Sequence, residues 1–204
     1  MDRRIEEGGT DVYHSSGWRM IEERDATGKM IQYVWSSVYV DTMVLRDRDT
    51  DSDGIIDERL YVQQDANFSV TSLIDDGGNV VQRFVYDPYG IKTTLNADWS
   101  IATTDVYGLL HSHQGGKQDP VTGLIHFRMR EYSPELMRWH QQDPLGYVDG
   151  FSLYEYVGGA PLDFVDPLGL FEEQAGWFIR RAIHFREKAA ELQKQCDDGL
   201  LPKS

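Results

Sequence analysis

Four of the seven prolines in this 204-residue chain follow an aspartate: Asp87-Pro88, Asp119-Pro120, Asp143-Pro144 and Asp166-Pro167. Three of these run on to a glycine, as Asp-Pro-Tyr-Gly90, Asp-Pro-Leu-Gly146 and Asp-Pro-Leu-Gly169. Taken singly, each is the preferred dressing of a type I turn, because the aspartate caps the turn's own amides and proline presets φ. Taken as a pair, Asp143 and Asp166 could do chemistry. Their motifs are near-copies separated by the 19 residues 147–165, and a hairpin folding back over that stretch would bring the two carboxyls together. Facing carboxyls do not both stay ionised; they share a proton, so one acts as base towards water and the other as acid. Such a pair hydrolyses a peptide bond without metal or covalent nucleophile. A target bond lies just downstream at Leu170–Phe171, where the β-rich pattern stops, and intramolecular delivery makes even a mediocre pair effective.

A second acidic constellation runs from Asp47 to Glu58. Asp49, Asp51 and Asp53 take the alternating positions of a calcium loop, Gly54 supplies the tight turn, the Ile55 carbonyl falls at the seventh position and Asp57 at the ninth. The twelfth position is Leu60, and Glu58 comes two residues early, so the loop resembles an abbreviated extracellular calcium loop of weak affinity. The competing reading is a solvated acidic hairpin tip; crowded carboxylates repel one another, and a divalent cation would relieve that. His111 and His113 lie two apart in His-Ser-His-Gln-Gly-Gly116, with no third ligand nearby, and read as a polar turn. Cys196 is the only cysteine, which excludes an internal disulfide framework, and it has no local partner for nucleophilic work.

The elements that must position these residues are strands. Short β-rich runs at 18–24, 30–35, 38–45, 58–63, 69–74 and 80–86 alternate apolar and polar residues and are punctuated by Asp- and Gly-rich turns. A second β-rich block covers 101–157. Tyr or Phe followed by an Asp turn and a Gly returns at intervals near twenty residues, as a stacked strand–turn array would. The array starts abruptly, which suggests a fragment or the last turns of a longer shell. After residue 170, Phe178, Ala182, Phe185, Ala189 and Leu192 follow helical spacing and predict one amphipathic helix over 172–196.

Here the residues resemble a family. The run Asp119-Pro-Val-Thr-Gly-Leu-Ile-His-Phe-Arg-Met-Arg-Glu-Tyr-Ser-Pro-Glu-Leu-Met-Arg-Trp139, then Gln142-Asp-Pro-Leu-Gly-Tyr147 and Phe164-Val-Asp-Pro-Leu-Gly-Leu170, is similar to the RHS (rearrangement hotspot) repeat-associated core domain. Residues 58–90 look like the YD repeats that precede it. The resemblance implies a mainly β fold, antiparallel strand–turn repeats forming part of a spiral β-shell that encloses a C-terminal effector. It also implies self-cleavage just after Leu170 by Asp143 and Asp166. The expected organisation is a YD-repeat-like region over 1–100, the core domain over 101–170 and a helical tail over 171–204.

Charge narrows the partners. Acids outnumber bases 34 to 20, a net of −14, and all of that excess falls before residue 171. Such a field argues against nucleic acid, whose phosphates need clustered Lys and Arg, and against an electrostatic grip on anionic membrane. The start lacks an apolar signal core, and no run approaches a membrane span. The compartment stays open, although the resemblance implies an exported or cell-surface parent. Expected partners are the chain's own tail or the upstream part of a shell. No cofactor is required, calcium being the one candidate ion. The leading expectation is therefore a shell terminus holding an effector tail, with an aspartyl autoprotease built in. The alternative is a calcium-stabilised extracellular interaction module without catalytic activity.

Overall fold

A computed structural model describes residues 3–7, 10–14, 18–25, 27–147, 151–170 and 173–174. Nine strands follow one another as an antiparallel meander in chain order: β1 (Arg3–Glu7), β2 (Thr10–His14), β3 (Met20–Arg24), β4 (Met30–Trp35), β5 (Met43–Arg48), β6 (Glu58–Gln64), β7 (Val70–Ile74), β8 (Val80–Tyr86) and β9 (Lys92–Asn96). The turn aspartates do what their type dictates. Asp25 Oδ1 accepts from the amides of Thr27 (2.9 Å) and Lys29 (3.1 Å), Asp65 Oδ1 from Asn67 and Ser69 (both 2.9 Å), and Asp87 Oδ1 from Tyr89 (3.0 Å) and Ile91 (2.8 Å). One carboxylate thus closes each hairpin by satisfying the amides two and four residues ahead.

Cross-strand register sorts the faces. Tyr33 pairs with Arg46 and Arg46 with Leu60, while Val62 pairs with Leu73 and Leu73 with Gln82. These positions share the covered face, where Tyr33, Met43, Leu60, Val70, Leu73, Phe84 and Leu109 form the main core.

A second block packs on this wall. It holds the four-stranded sheet β10 (Lys117–Gln118), β11 (Ile125–Phe127), β12 (Arg130–Ser133) and β13 (Arg138–Trp139), and the pair β14 (Phe164–Val165) and β15 (Glu173–Gln174). Its centre is aromatic: Tyr132 stacks on Tyr156 at 3.9 Å, and Trp139 meets Phe127 and Tyr156 edge-on at 5.8 and 5.2 Å. Among the described residues the only helical pieces are three-residue 3-10 turns at His113–Gly115 and Val157–Gly159. The chain is mainly β. No helix of the described residues is long and apolar enough to cross a membrane.

Three expectations need correcting or fall elsewhere. The strand expected over 38–45 begins only at Met43, because the residues before it form a turn whose carbonyls are gathered by one side chain: Arg19 donates to Ser36 O (2.6 Å), Tyr39 O (2.8 Å) and Val40 O (3.1 Å). The second block carries less regular strand than its sequence suggests, with single bridges at Ile101 and Glu155. Of the helix expected over 172–196, Glu173 and Gln174 are extended and pair with Val165 and Phe164. The rest of it, Cys196 included, lies outside the described residues, as does the target-bond residue Phe171.

Candidate functional site

Asp143 follows β13, where the chain folds back: the amides of Trp139 and Asp143 donate to the carbonyls of Tyr154 and Leu153, both at 2.9 Å. Asp166 follows β14. Both side chains reach the same guanidinium. Arg130 Nη1 stands 2.9 Å from Asp143 Oδ2, and Nη2 stands 3.2 Å from Asp166 Oδ2. The three side chains are 9% exposed or less. The sequence-predicted pair is therefore brought to one point, bridged by a cation. Buried carboxylates at close quarters repel unless a positive group is forked between them, and arginine's planar fork suits that task. Arg130 lies 4.2 Å over the ring of the buried Trp139, which fixes its plane.

The same group holds the peptide unit immediately before the bond expected to be cut. Arg130 Nε donates to the Gly169 carbonyl (2.6 Å), and the Leu170 amide donates to Asp166 Oδ1 (3.0 Å). The second contact is the hairpin habit of Asp25, Asp65 and Asp87 over again, so it does not mark a site by itself. What sets Asp166 apart is burial and its second oxygen on Arg130. Gly169 is required here: its φ is +67°, and a Cβ would stand 2.6 Å from the Phe127 carbonyl and 3.0 Å from the Arg130 amide.

Nothing in local spacing pointed to Arg130, whose partners lie 13 and 36 residues away. The available signal was an arginine on the strand face of Tyr132, inside an otherwise aromatic block. Asp41 and Arg128 were missed too. Arg128 is forked on Asp41 from the wall (3.1 and 2.5 Å) and also donates to the Pro167 carbonyl. Burial pushes the Asp41 carboxyl up, against the pull of Arg128 and Arg19.

In the acidic loop between β5 and β6, side-chain oxygens of Asp49, Asp51 and Asp53 come within 4.8 Å of one another. Asp49 is buried and accepts the amides of Ser52 (2.7 Å) and Gly54 (2.9 Å). Asp57 does not join them: its carboxylate accepts the Thr50 hydroxyl (2.5 Å) and amide (2.9 Å), contacts that hold it below the usual carboxylate range. Glu58 is taken up by Arg46 and Arg48 (3.3 and 2.8 Å).

His111 and His113 are not in a solvated turn. Both are buried, His111 between Tyr33 and Trp35 (5.3 and 5.2 Å) and His113 among Tyr86, Tyr132 and Tyr156 (6.1–6.2 Å). Between them and β10, Gln114 ties the two blocks: its amide donates to Ser69 Oγ beside β7 (3.0 Å), while its side chain donates through Nε2 to the carbonyls of Pro161 (3.1 Å) and Phe164 (3.0 Å) and accepts from the Tyr156 hydroxyl (2.7 Å).

Comparison with known proteins agrees with this architecture. The Teneurin YD-shell family profile matches residues 53–154. Toxin subunit YenC2 of Yersinia entomophaga is 35% identical over 119 residues, covering 58% of this chain and 12% of that protein. Toxin protein Tse5 of Pseudomonas aeruginosa is 44% identical over 57 residues, covering 28% of this chain and 4% of its own length. Among solved structures, TcdB2-TccC3 superposes with a TM-score of 0.59 over 83% of this chain and 8% of that one, at 23% identity. The Tc holotoxin pore of Photorhabdus luminescens gives 0.58 over 84% of this chain and 8% of that one, at 22% identity. The chain thus spans about an eighth of the toxin subunit it matches. With its meander, its aspartate-closed hairpins and the profile match over half its length, the chain belongs to the RHS/YD-repeat proteins, as a member of the YD-shell family.

Proposed function

We propose that this chain forms the closing turns of a YD shell, that the shell encloses the segment after Leu170, and that Asp143 and Asp166 cut the chain at Leu170–Phe171. The observation that carries the reading is the meeting of both carboxylates on Arg130, while the same Arg130 and Asp166 hold the Gly169 carbonyl and the Leu170 amide. Two carboxylates and one guanidinium leave one net negative charge, so one shared proton makes the site neutral. One carboxylate then takes a proton from water as the water oxygen adds to the Leu170 carbonyl carbon, and the protonated carboxyl gives its proton to the carbonyl oxygen. Collapse of the gem-diol breaks the C–N bond and passes a proton to the Phe171 nitrogen. The products are a Leu170 carboxylate and a free amine at Phe171. The toxin subunits among the relatives support an exported parent, with the upstream shell and the chain's own tail as partners.

Intact-mass measurement on fresh protein tests it. A 34-residue product beginning at Phe171, absent from Asp143→Asn and Asp166→Asn, is the expected result; a full-length mass that persists from neutral to mildly acid pH refutes it. Sequencing must locate the cut, because Asp-Pro bonds also break chemically in acid.

A second reading concerns the loop of Asp49, Asp51 and Asp53, whose converging carboxylates favour a weakly held calcium ion that stiffens the β5–β6 hairpin. Glu58 and Asp57 are otherwise engaged, which limits the site to three carboxylates plus backbone oxygens and water. An ion bound only by the native state raises Tm, so melts with calcium and with chelator decide it; identical melts remove the ion.

A further inference from the structure

Asp166 is held from the nine-stranded wall on both sides. Val165, just before it, is fully buried against Tyr39 and Phe68, whose rings stack at 3.7 Å. Pro167, just after it, gives its carbonyl to Arg128 Nη1, and that guanidinium is forked on Asp41. Tyr39 and Asp41 belong to one turn, 36–42, between β4 and β5. The turn is itself anchored: Arg19 gathers three of its carbonyls, and Gln64 Nε2 donates to the Asp41 carbonyl at 2.9 Å. The Asp41 and Arg128 side chains are 5% and 11% exposed and come from positions 87 residues apart.

A buried pair of this kind is a poor source of net stability, since desolvation offsets most of its attraction, but it fixes position. Position is what a hydrolytic pair needs: a displacement of about 1 Å costs roughly a hundredfold in rate. The Leu168 main chain is gripped from the turn between β11 and β12 as well, the Met129 amide donating to the Leu168 carbonyl at 3.1 Å. The Asp41–Arg128 fork and the Tyr39–Phe68 stack, by contrast, come from the wall.

We infer that Asp41, acting through Arg128, is a positioning residue for cleavage, so that Leu170–Phe171 is cut only when the wall is docked on the turn 166–169. The inference rests on the proteolytic reading above and adds its regulation: cleavage reports that the shell has closed.

The test uses the full chain. Asp41→Asn keeps the shape of the fork and removes its charge; Arg128→Lys keeps the charge and the pair with Asp41 but gives up the fork that also reaches Pro167. For each, the rate of appearance of the Phe171 product is followed by intact mass beside Tm, and amide exchange is read in an uncut Asp143→Asn background. The expected result is cleavage slowed about tenfold or more in both variants, with faster exchange at Leu170 and Met129 and unchanged exchange at Leu73 and Phe84 in the wall. A merely structural contact would instead lower Tm and loosen the wall amides along with the turn. Cleavage within about twofold of the parent in Arg128→Lys, at unchanged Leu170 exchange, overturns the inference and leaves the proteolytic reading standing. Should Asp41→Asn fail to fold, Arg128→Lys decides alone. A parent chain that is never cut overturns both.

Discussion

His113 makes a sharp test of how this core is built. It is 3% exposed, and neither ring nitrogen has a hydrogen-bond partner among the described residues. It sits against Gly90, whose φ is +93° and whose missing Cβ leaves room for the ring: a Cβ there would stand 2.5 Å from His113 Cγ. Burial pushes its pKa down to about 4, with Asp87 pulling weakly the other way. His111 is pushed down to about 3, by burial first and then by the charges of Lys117, Arg128 and Arg46. Both folded values lie below the ordinary 6.5, so the unfolded chain takes up protons first as pH falls. The stability these rings contribute is whole above about pH 6.5 and is lost progressively down to the folded values. At about pH 5 each histidine then costs about 2 kcal/mol relative to neutral pH, roughly 4 kcal/mol for the two. His113→Phe has nearly the same shape, stacks on the same tyrosines and buries no orphaned nitrogen. It is expected to be at least as stable as the parent at neutral pH and to lose about 2 kcal/mol less on moving to about pH 5. Urea titrations at the two pH values, followed by tryptophan fluorescence, measure it, and comparison with the parent cancels every other titrating group. Equal acid losses in parent and variant would show that His113 is hydrated or exposed, and the packing argument would fail.

Two further perturbations probe the site itself. Arg130→Ala strands two buried carboxylates without their cation and should cost about 3–5 kcal/mol in urea unfolding, far more than a surface pair would; a loss under about 1 kcal/mol refutes the bridged geometry. Gly169→Ala forces a side chain into the left-handed region and against the Phe127 carbonyl, costing roughly 1–3 kcal/mol and stopping cleavage, whereas Gly146→Ala, equally left-handed but with nothing within 4 Å, should pay only the backbone strain and keep its cleavage.

The sequence was legible wherever the physics is local. Alternation placed most of the wall strands, and the turn aspartates announced their hairpins because each satisfies amides two and four residues on. The near-copy motifs also revealed that Asp143 and Asp166 belong together, since repetition carries information that spacing does not. Legibility failed where a residue's meaning is set by partners far along the chain. His-Ser-His-Gln-Gly-Gly is polar in composition and turn-like in glycine content, yet its rings are buried by Tyr33, Tyr86, Tyr132 and Tyr156 and by the hollow at Gly90. The stretch 38–42 has the residues of a strand, but Arg19 bends it into a turn from 17 or more positions away.

The buried arginines share that logic, and they explain how an acidic chain specifies one docking of its two blocks. Arg46 meets Glu58 within the wall, Arg130 meets Asp143 and Asp166 within the second block, and Arg128 alone crosses from one to the other to meet Asp41. Apolar contact such as that of Val165 with Tyr39 and Phe68 is non-directional and fixes register less strictly than a buried ion pair. A slip would leave Arg128 and Asp41 buried and unpaired, at a cost of several kcal/mol, so the fork admits a single register. That register is the one in which the Asp166 turn is held, so a pair that adds little net stability sets the position of Asp166, on which the proposed cleavage depends.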